Sequence, residues 1–466
     1  MASLRFLGAI QQVTGSCYLI ETDEVKILLE CGMIQGELKP EKKVKKLFQF
    51  NPHEIDYVIL SHAHLDHSGL LPGLVREGYR GPIFVTTPTY DLLEIMLKDA
   101  AFLQQKDVEW ENKRRMRSGK KAIDPIYDIE DVEQVLEQLI TLEYEQIADI
   151  TQSINLCFRD AGHIIGSAIV ELWIKENGQT RKLVFSGDLG NSCSPLLRDP
   201  AIIEEADVLL MESTYGDRNH RLASETIDEF REALNEAMDD GGNVFIPSFA
   251  VGRTQDLLYH LGQFYNDGVL GQKKVYLDSP MATSVSEVYL KHTQLYNHEN
   301  PEFTKKINEG WQNWLPILTY TRSTEESMAL NTIASGAVII AGSGMCTGGR
   351  IRHHLKHNLW HRKSHIMFVG FQARGTLGRA LVDGASKVKF MGMEFVVNAK
   401  IHTLGGFSAH AGQNQLLDWI SHFENKKTRL YLVHGELDKM LSLQKCCIEN
   451  YQWYANIPSS GETIKL

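Results

Sequence analysis

Ser61-His62-Ala63-His64-Leu65-Asp66-His67 follows directly on Asp56–Leu60 (DYVIL), a short apolar run rich in β-branched residues. A run of this length ending in polar residues reads as a buried strand, which places the histidine cluster on the loop at its C-terminal end. His62 and His64 are two apart and share a side. Asp66 and His67 begin the next turn and reach a second point nearby. Neutral imidazoles and a carboxylate suit zinc or a similar divalent ion. One such loop cannot complete two metal shells, so partners are expected at other strand ends. His163 follows the predicted strand 153–158, Asp188 follows 182–186 and His434 follows 429–433, each beside a glycine.

Outward from this cluster the chain has two textures. Leu4–Gly8, Ser16–Glu21 and Val25–Glu30 alternate like antiparallel strands, Leu70–Glu77 has helical spacing, and Pro82–Thr86 returns to strand. Residues 91–150 read as a helical insertion, with Val132, Val135, Leu136 and Leu139 at helical spacing. Its basic run, Lys113-Arg114-Arg115 through Lys120-Lys121, fits a solvated helix face and a nucleic-acid contact equally well. Strand patterns resume at Ala168–Ile174 and Val208–Glu212. From about 217 strands and helices alternate: helix 222–239, strand Asn243–Pro247, helix 252–266, strand Lys274–Asp278, helix 280–293. Gly336–Ala341 into Ile351–Leu355 and Ser364–Phe371 into Gly375–Leu381 repeat the step. That rhythm predicts a mostly parallel sheet inserted as its own domain. Beyond 407 come a helix (Asn414–His422), the strand Arg429–Val433 and a final helix.

Length and composition agree with this. At 466 residues the chain is too long for one ordinary core, and 43% hydrophobic with 23% charged residues is the balance of a folded globular chain. A net charge of −11 argues against broad coating of nucleic acid but leaves room for a local basic channel. No apolar stretch is long enough for a membrane span, and the start lacks the pattern of a secretory signal. None of the seven cysteines forms a C-x-x-C pair, so the expectation is a reduced, cytoplasmic protein without membrane contact.

H-x-H-x-D-H with downstream His163, Asp188 and His434 resembles the metallo-β-lactamase fold. Further blocks narrow the resemblance to its β-CASP nucleases. Met211-Glu212-Ser213-Thr214-Tyr215-Gly216 looks like the acidic motif A, Phe407-Ser408-Ala409-His410 like motif B and Leu432-Val433-His434-Gly435 like motif C. Ile246–Arg253, Asp278–Ala282, Ser343–Arg350 and Gly370–Thr376 are also family-like, so the match spans almost the whole chain. It is similar to bacterial relatives of the eukaryotic mRNA 3′-end cleavage endonuclease, without the amino-terminal RNA-binding extension of the archaeal kind. The resemblance implies an α/β protein: an αββα sandwich in two parts, 1–213 and 405–466, around a parallel-sheet β-CASP domain at 214–404.

The resemblance also implies a ligand set. His62, His64 and His163 would hold one Zn2+, Asp66, His67 and His434 a second, and Asp188 would bridge them. Two such ions activate a water for attack on phosphorus. Asp66, His410 and Glu212 are the expected catalytic residues, with His410 as general acid to the departing 3′ oxygen and Glu212 orienting it. DNA-repair members carry valine where this chain has His434, so single-stranded RNA is the implied substrate. Two positions depart from the family pattern. Glu30 stands where aspartate is usual, and Gly412 where an acidic residue is common after motif B.

Ser343-Gly344-Met345-Cys346-Thr347-Gly348-Gly349 lies between a predicted strand and helix, followed by Arg350. It reads either as a packing turn or as a phosphate cradle built from Ser343, Gly344, Thr347, Gly348 and Arg350. The expected activity is endonucleolytic, with 5′-to-3′ exonuclease action left open by that turn, as is a homodimer. Two other functions compete. A small-molecule hydrolase of the lactamase or thioesterase kind would share H-x-H-x-D-H but has no use for the inserted domain. A non-catalytic scaffold of RNA processing would have lost metal ligands, whereas all seven are present.

Overall fold

The computed structural model describes residues 2–34, 47–192, 194–425 and 427–466. The chain forms two compact units, one comprising Met1–Ser192, Asp199–Asn219 and His410–Leu466, the other Cys193–Arg198 and His220–Ala409. Cys193 lies outside the described residues, and the other six cysteines are free.

Two seven-stranded sheets make the first unit. One runs in the order Thr463–Lys465, Ser3–Gly8, Cys17–Glu21, Lys26–Leu29, Tyr57–Ile59, Ile83–Thr86, Leu139–Leu142. Its first four strands pair antiparallel and the rest parallel. The other runs Ala455–Asn456, Arg429–Val433, Val208–Glu212, Gln179–Phe185, Ala168–Glu176, Ile154–Asp160, Ala148–Asp149. Alternation in Ser3–Gly8 buries Leu4 and Phe6 between the sheets. There the ring of Phe6 lies 5.4 Å from Tyr431, and that of Tyr18 lies 5.3 Å from Phe185. Val208–Glu212 is buried on both faces and accordingly reads as an unbroken apolar run up to its glutamate. Its far side packs on the helices Gln413–Ser421 and Leu437–Tyr451, while the helix Thr87–Arg117 packs against Ile83–Thr86 of the first sheet. The result is the expected four-layer sandwich, helix on sheet on sheet on helix.

The sequence reading of 91–150 as helical throughout is corrected. The helix Ile129–Gln138 ends at Gln138, and Leu139 opens a strand that pairs parallel with Ile83–Thr86. Leu139 fits either spacing, and the available sheet edge decides.

The second unit holds a six-stranded, all-parallel sheet: Leu318–Tyr320, Lys274–Leu277, Ala337–Ala341, Val244–Pro247, His365–Phe368, Lys400–Thr403. Val244–Pro247, Ala337–Ala341 and His365–Phe368 are buried on both faces, as parallel strands covered by helices must be.

Candidate metal centre

The loop after Tyr57–Ile59 leads into a single helical turn, Leu65–Ser68, which carries Asp66 and His67. Backbone bonds tie this turn to the segment after Lys26–Leu29: the N–H groups of Cys31 and Met33 donate to the carbonyls of His67 and Leu65, both at 2.8 Å. Gly32 makes that approach possible, since a Cβ there would sit 1.7 Å from the Asp66 carbonyl oxygen. His163, Asp188 and His434 each follow a strand of the second sheet, so all seven expected ligands come together in one unit.

They form two groups. Nδ1 of His64 lies 3.1 Å from Nε2 of His62 and 3.2 Å from Nε2 of His163. Nε2 of His67 lies 3.2 Å from Nε2 of His434, which is 3.6 Å from an Asp66 oxygen. Between the groups, Oδ2 of Asp188 stands 3.5, 3.4 and 3.7 Å from Nε2 of His62, His67 and His163. Its other oxygen, Oδ1, is buried, makes no hydrogen bond and lies 3.4 Å from Nδ1 of His434. Facing imidazole nitrogens at such distances need a proton or a cation between them. Burial pushes His62 well below its usual pKa and His64 down to about 4, which leaves these rings as neutral donors. Burial disfavours the charged form of Asp188, but His434 and His67 outweigh it and hold the carboxyl well below its usual range. The donor set fits a pair of divalent cations.

Outer contacts fix the rings. Glu30 accepts from the Ser61 N–H at 2.6 Å and the Ser61 hydroxyl at 2.9 Å, and it pairs with Nδ1 of His67. Ser61 Oγ is 2.9 Å from Nδ1 of His62. Glu30 thus directs Nε2 of both rings inward, so the longer side chain reaches after all. Its backbone is left-handed, with φ of 65°. Thr214 Oγ1 lies 3.1 Å from Nδ1 of His434. That contact could have been suspected only from the position of Thr214 in motif A.

Glu212 ends its strand fully buried and accepts the Leu189 N–H at 2.6 Å. Its Oε1 is 3.3 Å from Nδ1 of His410. Burial opposes charge on His410, but Glu212, Asp188 and Asp66 raise its pKa to about 9. The N–H of Gly412 is occupied by Gln415 Oε1 at 2.8 Å, so the turn after His410 is anchored without an acidic residue there.

The glycine turn belongs to the other unit. Ser343 Oγ accepts from the N–H groups of Thr347 and Gly348, at 3.1 and 3.2 Å. Arg350 pairs with Asp278 at 2.7 Å and donates to the carbonyls of Thr321 and Arg322. Gly344 packs against the ring of Phe249. The Thr347 and Gly348 amides and the Arg350 guanidinium, three of the donors expected to cradle a phosphate, therefore have internal partners. The sequence could not reveal this, because Asp278 lies 72 residues upstream of Arg350.

Three family models match in order along the chain: a metallo-beta-lactamase superfamily domain over residues 19–207, a Beta-Casp domain over 254–381 and a Zn-dependent metallo-hydrolase RNA specificity domain over 394–458. Ribonuclease TTHA0252 of Thermus thermophilus is 42% identical over 94% of this chain and 94% of its own length. The transcription termination factor FttA of Methanocaldococcus jannaschii is 32% identical over 99% of this chain and 71% of its own. A solved protein of unknown function from Enterococcus faecalis V583 shares the fold, with a TM-score of 0.56 at 13% identity, covering 100% of both chains. Among the described residues no helix is long and apolar enough to cross a membrane. With an αββα sandwich, an inserted parallel-sheet unit, a histidine–aspartate centre at the strand ends and a relative matched almost end to end, the chain belongs to the β-CASP ribonucleases of the metallo-β-lactamase superfamily, which are metal-dependent RNA hydrolases.

Proposed function

We propose that the protein cleaves single-stranded RNA internally and that it uses two zinc ions to do so. The observation that carries this reading is the position of Asp188, one oxygen of which stands within 3.7 Å of ring nitrogens from both ligand groups. His62, His64 and His163 would hold one ion, and Asp66, His67 and His434 the other, with Asp188 between them. When bound, such a pair supplies Lewis acidity and a water nucleophile at neutral pH. The chain's own residues do the rest. Glu30 and Ser61 orient His67 and His62. His410, kept protonated by Glu212, donates to the departing 3′ oxygen.

A 5′-monophosphate-dependent exonuclease mode would require Ser343 Oγ to release the Thr347 and Gly348 amides. Circular RNA is the deciding substrate. It should be cut at the same rate as its linear form, and survival of the circle while the linear form is degraded would overturn internal cleavage. Equal rates on 5′-monophosphate and 5′-hydroxyl ends are expected while that turn stays closed on itself. Zinc analysis should give two ions per chain at this centre, counted as the difference between the purified protein and a His62→Ala, His67→Ala double variant.

A further inference from the structure

A second histidine–carboxylate cluster lies in the inserted unit. His365 is on the strand His365–Phe368, His402 on its neighbour Lys400–Thr403 at the sheet edge, Glu236 in the last turn of the helix Ala223–Asp239, and Asp240 directly follows it. Nδ1 of His365 lies 2.9 Å from Nε2 of His402. Each of His365, His402 and Glu236 offers an atom within 4.8 Å of the others. On the far side of the His365 ring, Nε2 is 3.0 Å from Asp240 Oδ2. A carboxylate accepting one ring N–H is the usual device for presenting the other nitrogen as a metal ligand.

We propose that His365, His402 and Glu236 form a further binding site for a zinc-class divalent ion, with Asp240 as the residue that positions His365. Three features support it independently of the other centre. First, two ligands at 2.0–2.1 Å from a tetrahedral ion stand roughly 3.3 Å apart, so the imidazoles need to open by only a few tenths of an ångström. Second, the helix ends in Glu236, Asp239 and Asp240 with no basic residue in its last turn. Acidic groups at a helix C-terminus oppose its dipole unless a cation offsets them. Third, a cation is already drawn there: Lys400 Nζ lies 2.6 Å from Glu236 and 2.7 Å from Asp240. Lys400 and Glu236 are both exposed, so the ammonium can swing into solvent and release Glu236 to the ion. Two imidazoles and one carboxylate leave a position open on the metal, and the ion would clamp the helix end to the edge strand.

Equilibrium dialysis of the full chain against buffered free Zn2+ tests this, with bound metal counted by mass spectrometry. The wild type should bind one ion per chain more than His402→Ala. Glu236→Gln should weaken that ion at least tenfold, and Asp240→Asn about 10–100-fold. Lys400→Gln should bind it more tightly, since it removes the competing cation. Zinc should also raise the melting temperature of the wild type above that of His402→Ala under the same conditions. Identical counts and affinities in wild type, Glu236→Gln and Lys400→Gln would overturn the proposal. Those two exposed substitutions decide the matter should His402→Ala fail to fold.

Discussion

Glu30→Gln removes the anion that His67 and Ser61 share. We expect metal affinity to fall about 10–100-fold, as when outer-sphere carboxylates are lost elsewhere. Competition with a chromophoric chelator measures it, and unchanged affinity would mean that packing alone holds His67. His410→Ala should keep its metals and lose about 10²–10⁴-fold in RNA cleavage. The loss should shrink on a nitrophenyl phosphodiester, whose leaving group needs no proton. An equal loss on both substrates would make His410 a positioning residue instead. The residues that gather into the two groups were legible because they cluster locally or stand at strand ends beside glycine. The residues that orient them were harder to see, because Glu30 meets His67 across 37 positions and Thr214 meets His434 across 220.

At the scale of elements, Gly32→Ala tests how the first ligand loop is held. A methyl group 1.7 Å from the Asp66 carbonyl must push Leu65–Ser68 away from the segment that anchors it. The variant should keep its secondary structure by circular dichroism but bind the metal beside Asp66 and His67 more weakly. Full metal content with native affinity would show that the loop can shift at no cost. Long periodic segments and apolar strands were readable because burial on one or two faces writes itself into the chain. Leu139 was misread, and Ala148–Asp149, Leu318–Tyr320, Ala455–Asn456 and Thr463–Lys465 went unread. Each is only a few residues long and lies at or next to a sheet edge, so its pattern carries little information and its neighbour defines it.

For the whole molecule, loss of metal from the histidine–aspartate centre acts on the first unit, and one buried carboxylate ties the second unit to pH. Metal that binds only the folded state stabilises it by mass action, about 2.7 kcal/mol at a hundred times its dissociation constant. Stripping the ions should therefore lower the melting temperature of the first unit, and added zinc should restore it. An unchanged melting curve would place the ligands in a pocket rigid without metal. Acid acts on Asp278 in the second unit. Burial opposes its charge, but hydrogen bonds from His354, Ser327, Thr321 and Arg350 outweigh that and hold its pKa well below the carboxylate range. Because the folded pKa lies below the unfolded one, this stabilisation is complete above about pH 4 and fades as pH falls further. Asp278→Asn should cost about 3–5 kcal/mol near neutrality, with a gap to wild type that narrows only below that pH. Urea midpoints of the two proteins across the acid range would measure it, and a constant gap would remove Asp278 from the acid response. The way the first unit is closed carries one more consequence. Its sheets take strands from both ends of the chain, with Thr463–Lys465 beside Ser3–Gly8 and Arg429–Val433 beside Val208–Glu212. During synthesis at about 5–20 residues per second, the continuous stretch 220–409 is made and can fold while the earlier strands still wait for their partners. His434 is made after the six other expected ligands, so until it has emerged the centre proposed above is incomplete.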